Sequence, residues 1–195
     1  MSTQGPDRPD VPDPVTGAPG TAVLVAALIR RGQTLATAES LTAGLLAATI
    51  AGVPGASAVL RGGLIVYATD LKHRLAGVGE HTLATEGPVA AATAEQLAVG
   101  ARTACLADWG VGLTGVAGPD AQNGCPVGTV FLGLSGPGGT EVMRLHLVGD
   151  RWTIRMNAVR TAVAELVRRI TGSGTDNTAG SGVGNSGGAG PADTG

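Results

Sequence analysis

Two runs of β character, "GTVFLGLS" and "EVMRLHLV", flank "GPGG" within residues 128–148, and no other feature constrains the fold of this chain as strongly. Two strand-forming runs joined by turn residues read as a β-hairpin, so they must pair antiparallel. Upstream, the hydrophobic period alternates instead. "TAVLVAALIRRG" has helical spacing and stops at Gly32, a natural C-cap. "QTLATAE" is short and β-like, and "LTAGLLAATIAG" is helical. "LRGGLIVYA" reads as a strand, and "TDLKHRLAG" as a short helix capped by Thr69 or Asp70. "GPVAAATAEQLAVGARTACLA" is a long helix with Pro88 in its first turn, and "WGVGLTGVAG" a buried strand running into a loop. "DRWTIRMNAVRTAVAELVRRI" closes the unit as an amphipathic helix, with Asp150 and Arg168-Arg169 favourably placed for its dipole. Interleaved helices and strands with one antiparallel pair predict an α/β fold: a three-layer α/β/α sandwich on a mixed β-sheet.

Hydrophobic residues are 43% of the 195 and aromatics only 2%, so the core must be built from Ala, Val and Leu. The folded unit is expected over residues 21–171. Residues 1–20, rich in Pro and Asp, and 172–195, rich in Gly and Ser, have too little apolar surface to offset chain entropy and read as disordered tails.

The formal net charge is −2 with no clustered basic run, which argues against a nucleic-acid partner. No apolar run approaches the roughly 18 residues of a membrane span, and the N-terminus lacks the order of a signal peptide, so a cytoplasmic location is expected. Cys105 and Cys125 have neither disulfide-framework nor zinc spacing, and His73, His81 and His146 show no metal-ligand pattern, so no metal and no cofactor are expected.

Three stretches carry candidate chemistry. Ser40 follows a β-like segment and precedes small residues, Thr42, Ala43 and Gly44. It reads either as a helix N-cap or as a presented hydroxyl beside unpaired helix amides. Glu39 beside it would suit the helix dipole whatever its task, and could hold ribose hydroxyls. Tyr67, the only tyrosine, ends a strand, and Lys72 lies on the next helix. Such a lysine is either a solvated charge or, drawn into a cleft, an unprotonated base. In "LTGVAGPDAQNGCPVGTVF", a strand ends at Thr114 and Gly115 and Gly118 turn a loop. That loop is either a tight connection or an anion cradle, and it is neither a phosphate-binding P-loop nor a dinucleotide fingerprint.

Taken together, "TAESLTAG", "GVPGASAVLRGGLIVYATDLKHRLAGV", "GVGLTGVAGPD…CPVGTV" and "GDRWTIRMNAV" resemble the CinA C-terminal domain family, whose stand-alone members are nicotinamide-nucleotide amidases. The resemblance covers about Thr21 to Ile170. It implies a metal-independent amidohydrolase of the pyridine-nucleotide cycle, converting nicotinamide mononucleotide and water to nicotinate mononucleotide and ammonia. By resemblance Ser40 is the nucleophile and Lys72 its base. Tyr67 and Thr114 fall at catalytic positions. Glu39, Thr42, Ala43, Gly44, Gly115, Ala117, Gly118 and Arg151 fall at substrate-binding ones. The alternative within the family is a catalytically silent nucleotide-binding or interaction module. The family's "ESCTGG" is altered here, with Leu41 and Ala43 replacing Cys and the first Gly, and the loop after "AGPD" is short. Longer family members carry an N-terminal domain linked to pyrophosphatase activity; none is expected here. The partner implied is a small pyridine nucleotide, and a homo-oligomer is expected because pockets of such compact domains often lie at subunit contacts.

Overall fold

The computed structural model describes residues 18–122 and 124–172; of the tails expected over 1–20 and 172–195, residues 1–17 and 173–195 lie outside that range. The chain runs α1 (Thr21–Arg31), β1 (Leu35–Glu39), α2 (Leu45–Ala51), a 3-10 turn (Ala56–Ala58), β2 (Leu60–Ile65), α3 (Thr69–Ala76), α4 (Glu80–Thr85), α5 (Ala91–Ala104), β3 (Trp109–Gly115), β4 (Thr129–Gly136), β5 (Gly139–His146) and α6 (Arg151–Gly172). One five-stranded sheet has the order β2-β1-β3-β4-β5. β1 pairs parallel with β2 and β3, while β3–β4 and β4–β5 are antiparallel. The hairpin lies where its turn residues put it, from Thr129 opposite His146 to Gly136 opposite Gly139. The α/β class and mixed sheet inferred from the alternating periods are those of the structure.

Helices α1, α2 and α6 cover one face of the sheet, over a core of Leu24, Leu28, Leu46, Ile50, Val159 and Leu166 among others. Helices α3 and α5 cover the other, where Ala36, Ala38, Val66, Ala76, Leu97 and Ala101 meet. A core so poor in aromatics closes by bringing main chains together. A Cβ at Gly112 on β3 would lie 2.3 Å from the Ala94 carbonyl oxygen of α5, and one at Gly133 on β4 would lie 2.2 Å from the same atom. The same economy joins α3 to α5, since a Cβ at Gly100 would fall 1.8 Å from Ala76 O. Close seating of α5 on the sheet thus sets the position of α3, the helix that carries Lys72.

Several boundaries differ from expectation. The unit starts before Thr21: Ala18 is buried and its carbonyl accepts from Thr21 Oγ1 at 2.7 Å. Gly172 belongs to α6. Helix α5 begins at Ala91, three residues beyond Pro88. The segment before it is held instead by side chains, with Thr114 Oγ1 donating to Pro88 O at 2.6 Å and Thr93 Oγ1 to Gly87 O at 2.7 Å. Helix α4, too short for a legible period, was not foreseen. Neither Thr69 nor Asp70 caps α3; its N-cap is Ala68.

Replacing Gly112 by Ala should destabilise the domain by about 1–3 kcal/mol, the usual cost of overpacking, because the obstructing atom is a helix carbonyl and not a flexible side chain. A lowered urea midpoint with an unchanged m-value would report it.

Candidate active site

At the carboxyl end of β1 the chain leaves the sheet through Ser40, whose amide still donates to Leu113 O on β3 at 2.8 Å. Parallel β2 ends beside it, and Val66 N–H donates to Glu39 O at 2.9 Å before the chain turns into α3. Carboxyl ends of parallel strands are where open α/β sheets collect ligands. Here they bring Ser40 and Lys72, thirty-two residues apart, into contact.

The Lys72 side chain is only 2% exposed and is the largest fully buried side chain in the described residues. Its Nζ donates to Val66 O at 2.9 Å, to Tyr67 O at 3.1 Å and to Ser40 Oγ at 3.1 Å. An ammonium has three N–H donors and a neutral amine two. The two carbonyls can take both N–H groups of the neutral form, which leaves its lone pair directed at the Ser40 hydroxyl. Both protonation states are therefore satisfied in one geometry. Burial lowers the amine's pKa from 10.5 to about 8. Lys72 is also the chain's only lysine among 13 basic Lys and Arg residues, a signal legible in the composition but easily passed over.

Ser40 does not cap α2. The N-cap is Gly44, and the helix begins only at Leu45. The amides at its start go to Glu39 instead. Glu39 Oε2 accepts from Gly44 N and Leu46 N, both at 3.0 Å, while Oε1 accepts from Ala47 N at 2.9 Å and Thr37 Oγ1 at 3.0 Å. Two expectations change as a result. Glu39, 1% exposed, faces away from the cavity with its carboxylate fully engaged, so it does not hold ribose. The first amides of α2 are likewise occupied and form no anion site. Thr42, Ala43 and Gly44 are also absent from the cavity wall. Ala43, where the family motif has Gly, adopts φ 50, the left-handed region that favours glycine.

The cavity encloses about 100 Å³. That is room for about three waters, so it takes the reacting end of a ligand and leaves the remainder outside. Ser40, Lys72, Tyr67, Thr114, Gly115, Ala117, Gly118 and Arg151 all line it. The Thr114 hydroxyl is fully buried and donates to Pro88 O, which fixes that wall. Arg151 bridges the mouth, Nη1 donating to Gly118 O at 2.6 Å and Nη2 to Tyr67 Oη at 2.7 Å. Sequence reading missed the polar lining residues Thr69, Asp120 and Gln122. It also missed Arg155, which lies behind the Ser40 turn. Asp120 and Gln122 lie in a loop and give no periodic signal, while Thr69 and Arg155 lie in helices where a polar residue is unremarkable, so nothing local marked them. Among the described residues no group of three or more His, Cys, Asp or Glu gathers, and no helix is long and apolar enough to cross a membrane.

Comparison with known proteins agrees with this architecture. The family model of the CinA C-terminal domain matches residues 19–170. A CinA-like protein of Frankia casuarinae is 49% identical over 148 residues, covering 76% of this chain and 34% of that protein. One of an Anaeromyxobacter species is 47% identical over 143 residues, covering 73% and 35%. The chain thus spans about a third of the length of the curated relatives it matches. A crystal structure of a CinA superfamily protein from Klebsiella pneumoniae superposes with a TM-score of 0.75 at 32% identity, covering 78% of this chain and 96% of that one.

The buried Glu39 and Lys72 side chains can each be tested. Glu39→Gln keeps the volume but turns one acceptor into a donor facing amides, and should cost about 2 kcal/mol of stability, read from urea unfolding. In protein labelled with 13C at lysine Cε, a single lysine signal should titrate near pH 8. The unfolded chain holds this proton up to its ordinary value of 10.5, so stability should climb between pH 8 and 10.5. The burial cost below that window, about 3 kcal/mol, should disappear in Lys72→Met.

Proposed function

This chain belongs to the CinA C-terminal domain family, and within it we propose a metal-independent amidohydrolase that converts nicotinamide mononucleotide to nicotinate mononucleotide and ammonia. The observation that carries the reading is the Ser40–Lys72 contact, in which two carbonyls occupy the amine's N–H groups and aim its lone pair at the hydroxyl. A buried serine against a buried lysine with a lowered pKa is the arrangement of Ser–Lys acyl-transfer sites.

In this mechanism neutral Lys72 takes the Ser40 proton as Oγ attacks the carboxamide carbon. The carbonyl becomes an oxyanion, bound by cavity amides. Among the described residues the N–H groups of Leu41, Ala117 and Gly118 meet no protein acceptor, which leaves them free for that task. Lys72 then returns the proton to the departing nitrogen, and ammonia leaves with cleavage of the C–N bond. Water attacks the resulting ester while Lys72 takes its proton. The Ser40 alkoxide leaves, recovers the proton, and nicotinate mononucleotide is released. The pyridinium cation withdraws electrons from the amide throughout, and its charge also favours the neutral amine. The carboxamide would enter the cavity, with the ring at its mouth. The ribose phosphate would lie outside, along the rim formed by Tyr67 and Arg151.

Ammonia release from nicotinamide mononucleotide tests this directly. Ser40→Ala should reduce kcat by at least about a thousandfold without loss of fold. The wild-type rate should rise about tenfold per pH unit below 8 and level above it, as the neutral base accumulates. Nucleotide binding with no ammonia formed would favour the silent module instead.

A further inference from the structure

The turn that carries Ser40 is held from behind by a side chain with no part in the proton transfers above. Arg155, in the first turns of α6, donates from Nε to Leu41 O at 2.8 Å and from Nη2 to Thr42 O at 3.0 Å. Its guanidinium lies 5.6 Å from the centroid of the Trp152 ring, which limits its swing. We propose that Arg155 is a positioning residue that fixes the Leu41 amide as an oxyanion donor. The proposal rests on Ser40 acting as the nucleophile.

Peptide units are planar, so holding a carbonyl sets the direction of the N–H across the same bond. Arg155 grips the two peptides that follow Leu41. The peptide before it is gripped by the turn itself, through Ala43 N–H donating to Ser40 O at 3.1 Å. Leu41 N–H belongs to that peptide, so the grip on Thr42 O reaches it through Ala43 N–H and Ser40 O; Leu41 lines the cavity and is only 4% exposed. The amide of the residue after the nucleophile is a recurrent oxyanion donor where a strand turns toward a helix.

External support is needed because α2 gives little. That helix starts only at Leu45, and the carboxylate of Glu39 takes its first amides. Residues 41–44 therefore form a turn outside the helix, one of them a strained alanine at φ 50. Without the guanidinium, Leu41 O would lose its partner and Thr42 O would keep only Leu45 N–H at 3.1 Å, so the turn could relax, carrying Leu41 N–H out of line.

Arg155→Lys keeps the charge but cannot grip both carbonyls, and Arg155→Ala removes both bonds. Two rates are to be measured in each: ammonia release from nicotinamide mononucleotide, and labelling of Ser40 by a fluorophosphonate, located by mass spectrometry. Both should fall by about tenfold in Arg155→Lys and by about a hundredfold in Arg155→Ala, in proportion to the oxyanion binding lost. KM should stay within about twofold and the pH midpoint near 8, since Lys72 is untouched. Added guanidinium ion should restore part of the Arg155→Ala rate. Near-wild-type rates in folded Arg155→Lys would overturn the proposal, as would a displaced pH midpoint or a loss confined to KM. If Arg155→Ala does not fold, Arg155→Lys decides. Wild-type protein that labels at Ser40 but releases no ammonia would overturn the substrate assignment alone, and the labelling rates would still judge Arg155. Wild-type protein that does neither would remove both.

Discussion

A single ammonium enclosed by three oxygen atoms organises this molecule. Lys72 cannot be solvated where it lies, and the carbonyls of Val66 and Tyr67 with the hydroxyl of Ser40 replace water around it. That replacement is incomplete as a substitute for bulk solvent, so the proton is held less tightly than on a free lysine. The cost to stability and the lowered pKa are thus one phenomenon. A lysine fully comfortable as a cation would be a poor base, and one too costly to bury would pull α3 off the sheet. The glycines that let α5 lie close against β3 and β4, and Gly100 that lets α3 lie against α5, keep the helix in place against that cost.

Glu39 and Ser40 are neighbours in the chain with opposite assignments. Side chains alternate across a strand, so the carboxylate at the end of β1 enters the layer of α2 while the next residue opens toward the cavity. Glu39 does the capping that a serine at a helix start would usually be given. Ser40 is thereby released from that duty, and its hydroxyl can meet Lys72.

The strand–helix succession, the hairpin and the candidate residues Ser40, Lys72, Tyr67, Thr114 and Arg151 were legible in the chain because each rests on local pattern or on motif order. The hairpin needs only its turn residues and two flanking runs. Less was legible where one side chain serves a distant backbone. Glu39 was read as a ligand-binding group because nothing local says that its partners are amides five to eight residues on. Arg155 passed as one more charge on an amphipathic helix, although its acceptors lie more than a hundred residues upstream. Pro88 suggested a helix start that the Thr114 hydroxyl, drawn in from another strand, moves three residues later.

By itself, then, the sequence determined which elements form and which residue types were available for chemistry, since periodicity, turn residues and a scarcity of aromatics act over short spans. Tertiary structure alone decided which of two adjacent polar residues caps a helix and which faces the cavity. It alone buried the chain's one lysine against the Ser40 hydroxyl. Those outcomes depend on desolvation and on hydrogen bonds between segments far apart in the chain, quantities that have no value until the sheet has assembled.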